Sequence, residues 1–396
     1  MSYYPRLLVD QKLAKLNSHS FELGPIRPPS EAHSLLIRAT RNCPWNRCEF
    51  CPTYKGQRFE LRPVEEIKRD IQEAKVISEE IKAIAWKLGY RERIKELAAT
   101  IYNTPDFNSS VRSVALWLYF DAETAFLQDA NSLIMRTPDM VQVIKALKEA
   151  FPELSRVTSY ARSKTAAKKS LEELKELRDA GLSRLHIGLE SGSDEVLRCV
   201  QKGVTAEEHI KGGLRVKEAG ISLSEYVMPG LGGRRCSEEH MKETARVLNE
   251  IEPDYIRLRS LGVGENMLLY GKVQSGEFEL QTDDEVVAEI GELIEGLNCQ
   301  SNLKSDHILN LLPEVEGELP QDKGKMMAII NRYLALPSQE RLNFKVGRRL
   351  GYYEKLDDFY DAERYEKVEQ IVKRLESENQ EDVESLLYAL RARCVA

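Results

Sequence analysis

Three cysteines fall within nine residues in the stretch Arg41-Asn42-Cys43-Pro44-Trp45-Asn46-Arg47-Cys48-Glu49-Phe50-Cys51-Pro52, with the spacing C-x4-C-x2-C. Thiolates are soft donors that suit iron–sulfur clusters or zinc. A four-iron cluster takes four ligands, so three cysteines leave one iron open to a small molecule. No fourth Cys or His stands in the stretch, and a closed zinc site would need a distant partner. The plainer alternative is cysteine as a small buried hydrophobe. Cys199, Cys236, Cys299 and Cys394 are scattered, show no second-cluster spacing and are read as structural. Seven cysteines, an odd number in a long chain, do not make a disulfide framework.

Other side chains could take part. Glu190 closes an apolar run, where it either binds a ligand or ends a strand in a salt bridge. Tyr160 and Arg162 close another run and share its inward parity. Arg257 and Arg259 lie two residues apart on one strand face and could grip a carboxylate or phosphate. Pairing with Glu225 or another acid is the duller option. His186 reads as a satisfied interior histidine rather than a proton donor. In Ser305-Asp306-His307-Ile308-Leu309-Asn310-Leu311-Leu312, polar groups open an otherwise apolar helix start. That segment either closes over a site or is simply capped by Ser305 or Asp306.

The elements that must position these residues follow a strand–helix rhythm, which implies a parallel sheet flanked by helices. Strands are expected over residues 33–40, 124–129, 156–160, 183–189, 222–228 and 254–261. The cysteine stretch follows the first of them directly. One long helical stretch is expected over 63–102, while 111–120 fits strand or helix equally. Thr137-Pro138 opens a helix with Thr137 as N-cap. Capping boxes stand at Ser170/Glu173 and Thr282/Glu285, Gly181 ends the first of these helices, a short helix follows Ser193, and a helix starts at Ser237. Beyond residue 261 the rhythm is expected to give way to helix. The alternating polar strand faces, His186/Gly188/Glu190, Ser222/Ser224/Tyr226 and Tyr255/Arg257/Arg259, must line something other than a dry core. Closed eight-stranded barrels fill their interiors with apolar side chains, so an open, partial (β/α)6 barrel holding water and ligand is favoured.

The 396 residues are 42% hydrophobic and 31% charged, enough for a packed core. A formal net charge of -7 argues against a nucleic-acid footprint over the whole surface. No apolar stretch approaches a membrane span, and the first residues lack the apolar core of a secretory signal, so the cytoplasm is the expected location.

The cysteine loop after a first strand resembles that of the radical S-adenosylmethionine (SAM) superfamily, with one residue more between the first two cysteines than the usual C-x3-C-x2-C. Phe50 stands where the superfamily usually has an aromatic residue. Ile187-Gly188-Leu189-Glu190-Ser191-Gly192-Ser193 and Val227-Met228-Pro229-Gly230-Leu231-Gly232-Gly233 resemble the fourth-strand and glycine-turn segments of the branch that includes anaerobic coproporphyrinogen oxidases and tRNA methylthiotransferases. The resemblance covers roughly residues 31–262. It implies a partial barrel with a helical insertion near 63–105, preceded by an N-terminal arm (1–30) and followed by a mostly helical region (263–396). It implies an oxygen-sensitive [4Fe–4S] cluster on Cys43, Cys48 and Cys51. SAM would lie near Phe50, Tyr160, Arg162, Glu190 and Gly230. The usual Gly-Gly-Glu turn is missing, and Gln128 and Asp129 stand in its place.

The implied activity is reductive cleavage of SAM and hydrogen abstraction from an organic substrate, in an oxidoreductase or transferase. A reducing electron-transfer protein would supply the electron, and the substrate would be a small or medium molecule, with a carboxylate near Arg257 and Arg259 as one option. A non-catalytic cluster- or metal-binding scaffold or carrier is the rival reading.

Overall fold

The computed structural model describes residues 15–89, 93–378 and 383–393. Cys394 lies outside the described residues. The chain forms two compact units, Met1–Pro44 with Gly56–His186 and Glu218–Ser222, and Trp45–Lys55 with Ile187–Lys217 and Leu223–Ala396.

In the first unit β1 (Leu35–Arg38) is followed by a small antiparallel pair, β2 (Thr40–Arg41) with β3 (Glu60–Leu61). Helices α1 (Val64–Lys87), α2 (Ile94–Asn103) and α3 (Ser109–Tyr119) come next. The long helical stretch is thus two helices, and the ambiguous run at 111–120 is helical, its start capped by the Asn108 side chain on the Val111 amide. The α1 residues Ile67, Ile71, Ala74, Ile77 and Ile81 recur at helical spacing and are all buried. Then follow β4 (Thr124–Gln128), α4 (Thr137–Ala150), β5 (Arg156–Ala161), α5 (Ser163–Ala166), α6 (Leu171–Ala180) and β6 (Leu182–Glu190). The strands lie in the order β1-β4-β5-β6, with β1, β4 and β5 parallel.

Two local expectations meet different outcomes here. The Ser170/Glu173 capping box is formed, and Gly181 ends α6 at φ 122, a conformation a side chain would resist. Thr137 does not cap α4: Arg136 occupies that position, and the Thr137 hydroxyl bonds to Glu173 Oε1 at 2.7 Å. The hydroxyl finds a carboxylate on α6, which outcompetes the local amide.

The second unit contains α7 (Asp194–Cys199), α8 (Ala206–Glu218), β7 (Ser222–Val227), α9 (Ser237–Ile251), β8 (Tyr255–Leu258), α10 (Leu268–Gln274), α11 (Asp283–Gly296), β9 (Ser301–Lys304) and β10 (Gly317–Leu319). Among the described residues the C-terminal part holds α12 (Lys323–Leu334), α13 (Ser338–Arg349), α14 (Ala362–Glu378) and α15 (Val383–Arg393). The strand order is β6-β7-β8-β9-β10; β7, β8 and β9 are parallel and β10 is antiparallel. The class is therefore α/β with a mostly parallel sheet and a helical C-terminal part. The rhythm does not stop at residue 261. It continues through α11 into β9, and the Thr282/Glu285 capping box starts the helix between. Residues 305–312 are not helical: Asn310 bonds to Ser260 and to the Leu258 carbonyl instead.

Inside the first unit, Phe126 and Tyr160 meet edge to face at 5.0 Å, and both approach His186. His186 is an interior histidine: Nε2 lies 3.2 Å from Glu31 Oε1, with both side chains fully buried. Ser34 and Arg156 complete the cage on Glu31 Oε2 at 2.6 and 3.2 Å. Burial works to raise the Glu31 pKa, but the His186 hydrogen bond and the Arg156 charge overcome it and hold the carboxyl below its ordinary 4.5.

A depressed carboxyl supplies stability that is complete above pH 4.5 and is lost as pH falls through the folded-state value. Glu31→Gln is expected to cost about 2–3 kcal/mol at neutral pH and to flatten the acid limb of the stability profile. Denaturant titrations of both proteins across that range measure this; an unchanged acid limb would show that Glu31 is not its source.

Candidate cluster and cofactor site

Within the first unit, charge-assisted hydrogen bonds fix the approach to Cys43. Asn42 has φ 65, donates its side chain to the Arg58 carbonyl at 2.7 Å, and donates its amide to Asp129 Oδ2 at 3.1 Å. Arg38 reaches the same carboxylate through Nε and Nη2 at 2.9 and 2.6 Å, and Glu22 through Nη1 at 2.9 Å. Arg41 grips both oxygens of Glu22, and its hydrogen bond is the main reason that carboxyl sits below the usual range. Asp129 is fully buried. Gln128 binds the Gly24 amide and the Gly24 and Ile26 carbonyls, tying residues 24–26 to the end of β4. The side chains standing where a Gly-Gly-Glu turn is usual thus have partners within the protein. Arg162 is the residue before α5, and its amide donates to Asn131 Oδ1 at 3.1 Å.

In the second unit the segment 45–55 is stapled to its own surroundings. The Glu49 amide donates to the Val200 carbonyl and the Leu269 amide to the Glu49 carbonyl, each at 3.0 Å. Glu49 Oε1 accepts from Gln201 at 2.6 Å, and Lys272 Nζ lies 2.9 Å from Oε2. Trp45 donates to the Gln201 carbonyl at 2.7 Å. Its ring covers Gly203, where a Cβ would collide with the indole. Lys55 Nζ holds the Asn46 and Cys48 carbonyls at 3.1 and 2.9 Å. Phe50 is buried in an apolar cluster with Val196, Val200, Leu231, Met267, Leu269 and Phe278, and Cys48 and Cys51 pack against it.

The same unit carries a compact ionisable group. Glu190, at φ 64 on the end of β6, pairs with Lys202 at 3.0 Å, and the ammonium also lies 5.6 Å from the centre of the Phe50 ring. A Cβ at Gly188 would overlap the Glu190 carboxylate and stand 2.9 Å from Lys202 Nζ, so a side chain there would displace the ends of the pair. Glu225 is wholly buried nearby. Burial, then the Glu190 charge, pushes its pKa well up; Lys202 and the Leu189 amide oppose this only in part. Gly230, at φ 89, donates its amide to Glu289 Oε1 at 2.6 Å. Glu289 also accepts from Ser237 and lies 3.9 Å from His240, which bonds to Ser191 Oγ and the Met228 carbonyl. Burial holds His240 below its ordinary value despite Glu289. Arg257 pairs with Asp306, not with Glu225.

The sequence reading did not single out Lys202, Glu289 or His240. Lys202 sits in a short loop with no period or motif, and only its position twelve residues after Glu190 hinted at a strand–helix–loop return.

The donor set fits an iron–sulfur cluster: three partly exposed thiols on one short loop, none in a disulfide. Among the described residues no three His, Cys, Asp or Glu side chains gather as donors to a single ion. A cluster asks something different of its thiolates, one per iron. A family model for the radical SAM superfamily matches residues 37–248, more than half of the chain. The chain belongs to the radical SAM superfamily. It is an enzyme of that superfamily, whose cofactors are a [4Fe–4S] cluster and SAM.

It is 25% identical over 119 residues to the tRNA uridine(34) acetyltransferase of Methanocaldococcus infernus, covering 30% of this chain and 22% of that protein. It is 35% identical over 74 residues to the probable threonylcarbamoyladenosine tRNA methylthiotransferase of Methanocaldococcus jannaschii, covering 18% and 17%. The methylthiotransferase likeness seen in the sequence is thus found again. The chain spans about a fifth of the length of these curated relatives. Among solved structures, methylornithine synthase is similar with a TM-score of 0.41 at 12% identity, over 81% of this chain and 79% of that one. No helix among the described residues is long and apolar enough to cross a membrane.

A carboxyl with a raised pKa keeps its proton in the folded state after the unfolded chain has released it. Stability therefore declines as pH rises above the ordinary 4.5 of Glu225. Glu225→Gln removes that slope. The variant is expected to be more stable than the parent by roughly 1–3 kcal/mol at neutral pH and equal to it near pH 4. Denaturant midpoints at the two pH values check this, and a variant less stable at neutral pH would contradict it.

Proposed function

We propose that this radical SAM enzyme holds its cluster through Cys43, Cys48 and Cys51 and abstracts hydrogen from an organic substrate. The observation that carries the reading is the C-x4-C-x2-C loop lying inside the span that matches the superfamily. When bound, the cluster and SAM supply a strongly reducing electron and a radical able to take a hydrogen atom.

The remaining work belongs to the chain's own residues. Lys55 and Glu49 fix the loop backbone around Cys48, and Phe50 keeps water from its inner side. Glu190, held by Lys202, offers a carboxylate oxygen to a polar group of SAM, and the Gly230 turn lets a flat base approach the backbone. Gln128 and Asp129 act through the chain they hold rather than as direct contacts. Residues 31–262 form the catalytic core and residues 263–396 the substrate side. A reducing protein partner and a reducing compartment, the cytoplasm, suit three reduced thiols.

A second reading takes RNA as the substrate. It is favoured by the two relatives, both described as acting on tRNA, and opposed by the net charge of -7. A tRNA that stimulates SAM consumption would decide for it.

The test is anaerobic reconstitution with iron and sulfide, reduction with dithionite, and an assay for 5′-deoxyadenosine after adding SAM. The parent is expected to load a four-iron cluster and form the product; Cys48→Ala is expected to lose both to background. Loading of zinc in place of a cluster would overturn the reading.

A further inference from the structure

Outside the cysteine loop, one more cluster in the second unit stands where a ligand is expected. Parallel α/β sheets bind ligands beyond the C-terminal ends of their strands. Arg259 is the first residue past β8, with its amide on the Val227 carbonyl at 2.9 Å and its guanidinium 5.0 Å from the centre of the Tyr226 ring. The segment 305–312 is anchored to the same strand end. Asn310 accepts from the Ser260 amide and hydroxyl at 3.0 and 2.9 Å and donates to the Leu258 carbonyl at 2.9 Å. From α13, Arg348 and Arg349 brace its carbonyls at Leu311 and Leu309. His307 is therefore carried on a fixed loop. Its Nδ1 is shielded from water and makes no hydrogen bond.

The charged groups that bear on His307 are Arg259, from the β8 exit, and Arg349, from α13. Both are cationic. Arg349 is balanced by Asp283 at 2.5 Å, and the nearby Asp306 is taken by Arg257. Burial first, then the two arginines, brings the His307 pKa down to about 4, so the ring is neutral at ordinary pH.

We infer that Arg259 and His307 form the anchor for an anionic group, carboxylate or phosphate, of the substrate. The inference rests on the reading of this chain as a SAM-dependent enzyme only in calling the ligand its substrate. An anion beside the ring offers Nδ1 the acceptor it lacks, so the imidazole takes up a proton as the anion binds. Arg257, bound to Asp306, is not part of the anchor. Anion affinity therefore weakens as pH rises above the bound-state pKa of His307.

The test uses the reconstituted, unreduced protein with ¹⁵N-labelled histidine at about pH 5.5, where His307 without ligand is neutral. Inorganic phosphate and acetate are the probes, and His307→Gln assigns the resonance. A saturable shift of His307 to the imidazolium form is expected. The binding should be at least tenfold weaker in Arg259→Gln and partly restored in Arg259→Lys. Response to phosphate alone identifies a phosphoryl group, and response to acetate identifies a carboxylate. A ring that stays neutral at high concentrations of both, or that responds equally in Arg259→Gln, overturns the anchor. SAM is absent from this experiment. Failure to form 5′-deoxyadenosine with the anion response intact would therefore sink the functional reading and leave the site standing.

Discussion

The Lys202 ammonium is nearly withdrawn from water, and a cation in that position requires a carboxylate within reach. Glu190 supplies it, and much of the second unit's interior follows from that pairing. The strand end twists into the left-handed region at Glu190, and Gly188, lacking a side chain, leaves the pair its place. A second carboxylate beside an already balanced pair cannot cheaply ionise, so Glu225 is driven toward its neutral form. Lys202 also covers the Phe50 ring, so the same cation joins the strand end to the loop that carries Cys48 and Cys51. One ammonium thereby links the Glu190 carboxylate with the loop of Cys48 and Cys51.

The first unit solves a similar problem with more charges. Arg38, Arg41 and Arg62 bridge Glu22, Asp129, Glu66 and Asp70, and the backbone leading into Cys43 is held through them. The three thiols of the loop stay partly exposed. Charge-assisted bonds to arginine give direction as well as energy, which apolar packing does not. The functional groups sit on loops, and the rigidity comes from the strands beneath them.

What the sequence made legible follows the strength of the local signals. The cysteine spacing, the apolar runs of β4 to β8 and the two capping boxes each have a pattern that tertiary contacts merely complete. Strand β9 has none: Ser301-Asn302-Leu303-Lys304 is short and polar, and only pairing with β8 and β10 makes it a strand. Thr137 had the right type for a cap but found a better acceptor on another helix. The polar opening of residues 305–312 looked like a helix start, yet Asn310 and Ser305 serve the exit of β8 instead. Arg257 and Arg259 share a face in the sequence, but Asp306, from a distant segment, separates their roles. Contacts of that range leave no local pattern, and Lys202 was missed for the same reason.

The proposed enzyme holds a four-iron cluster on three cysteines, with one iron open to SAM. Electron paramagnetic resonance of the dithionite-reduced, reconstituted protein, recorded with and without SAM, tests it most directly. A reduced-cluster signal whose shape changes when SAM is added is expected, because SAM would meet the iron that has no cysteine. A cluster signal indifferent to SAM at saturating concentration would contradict it.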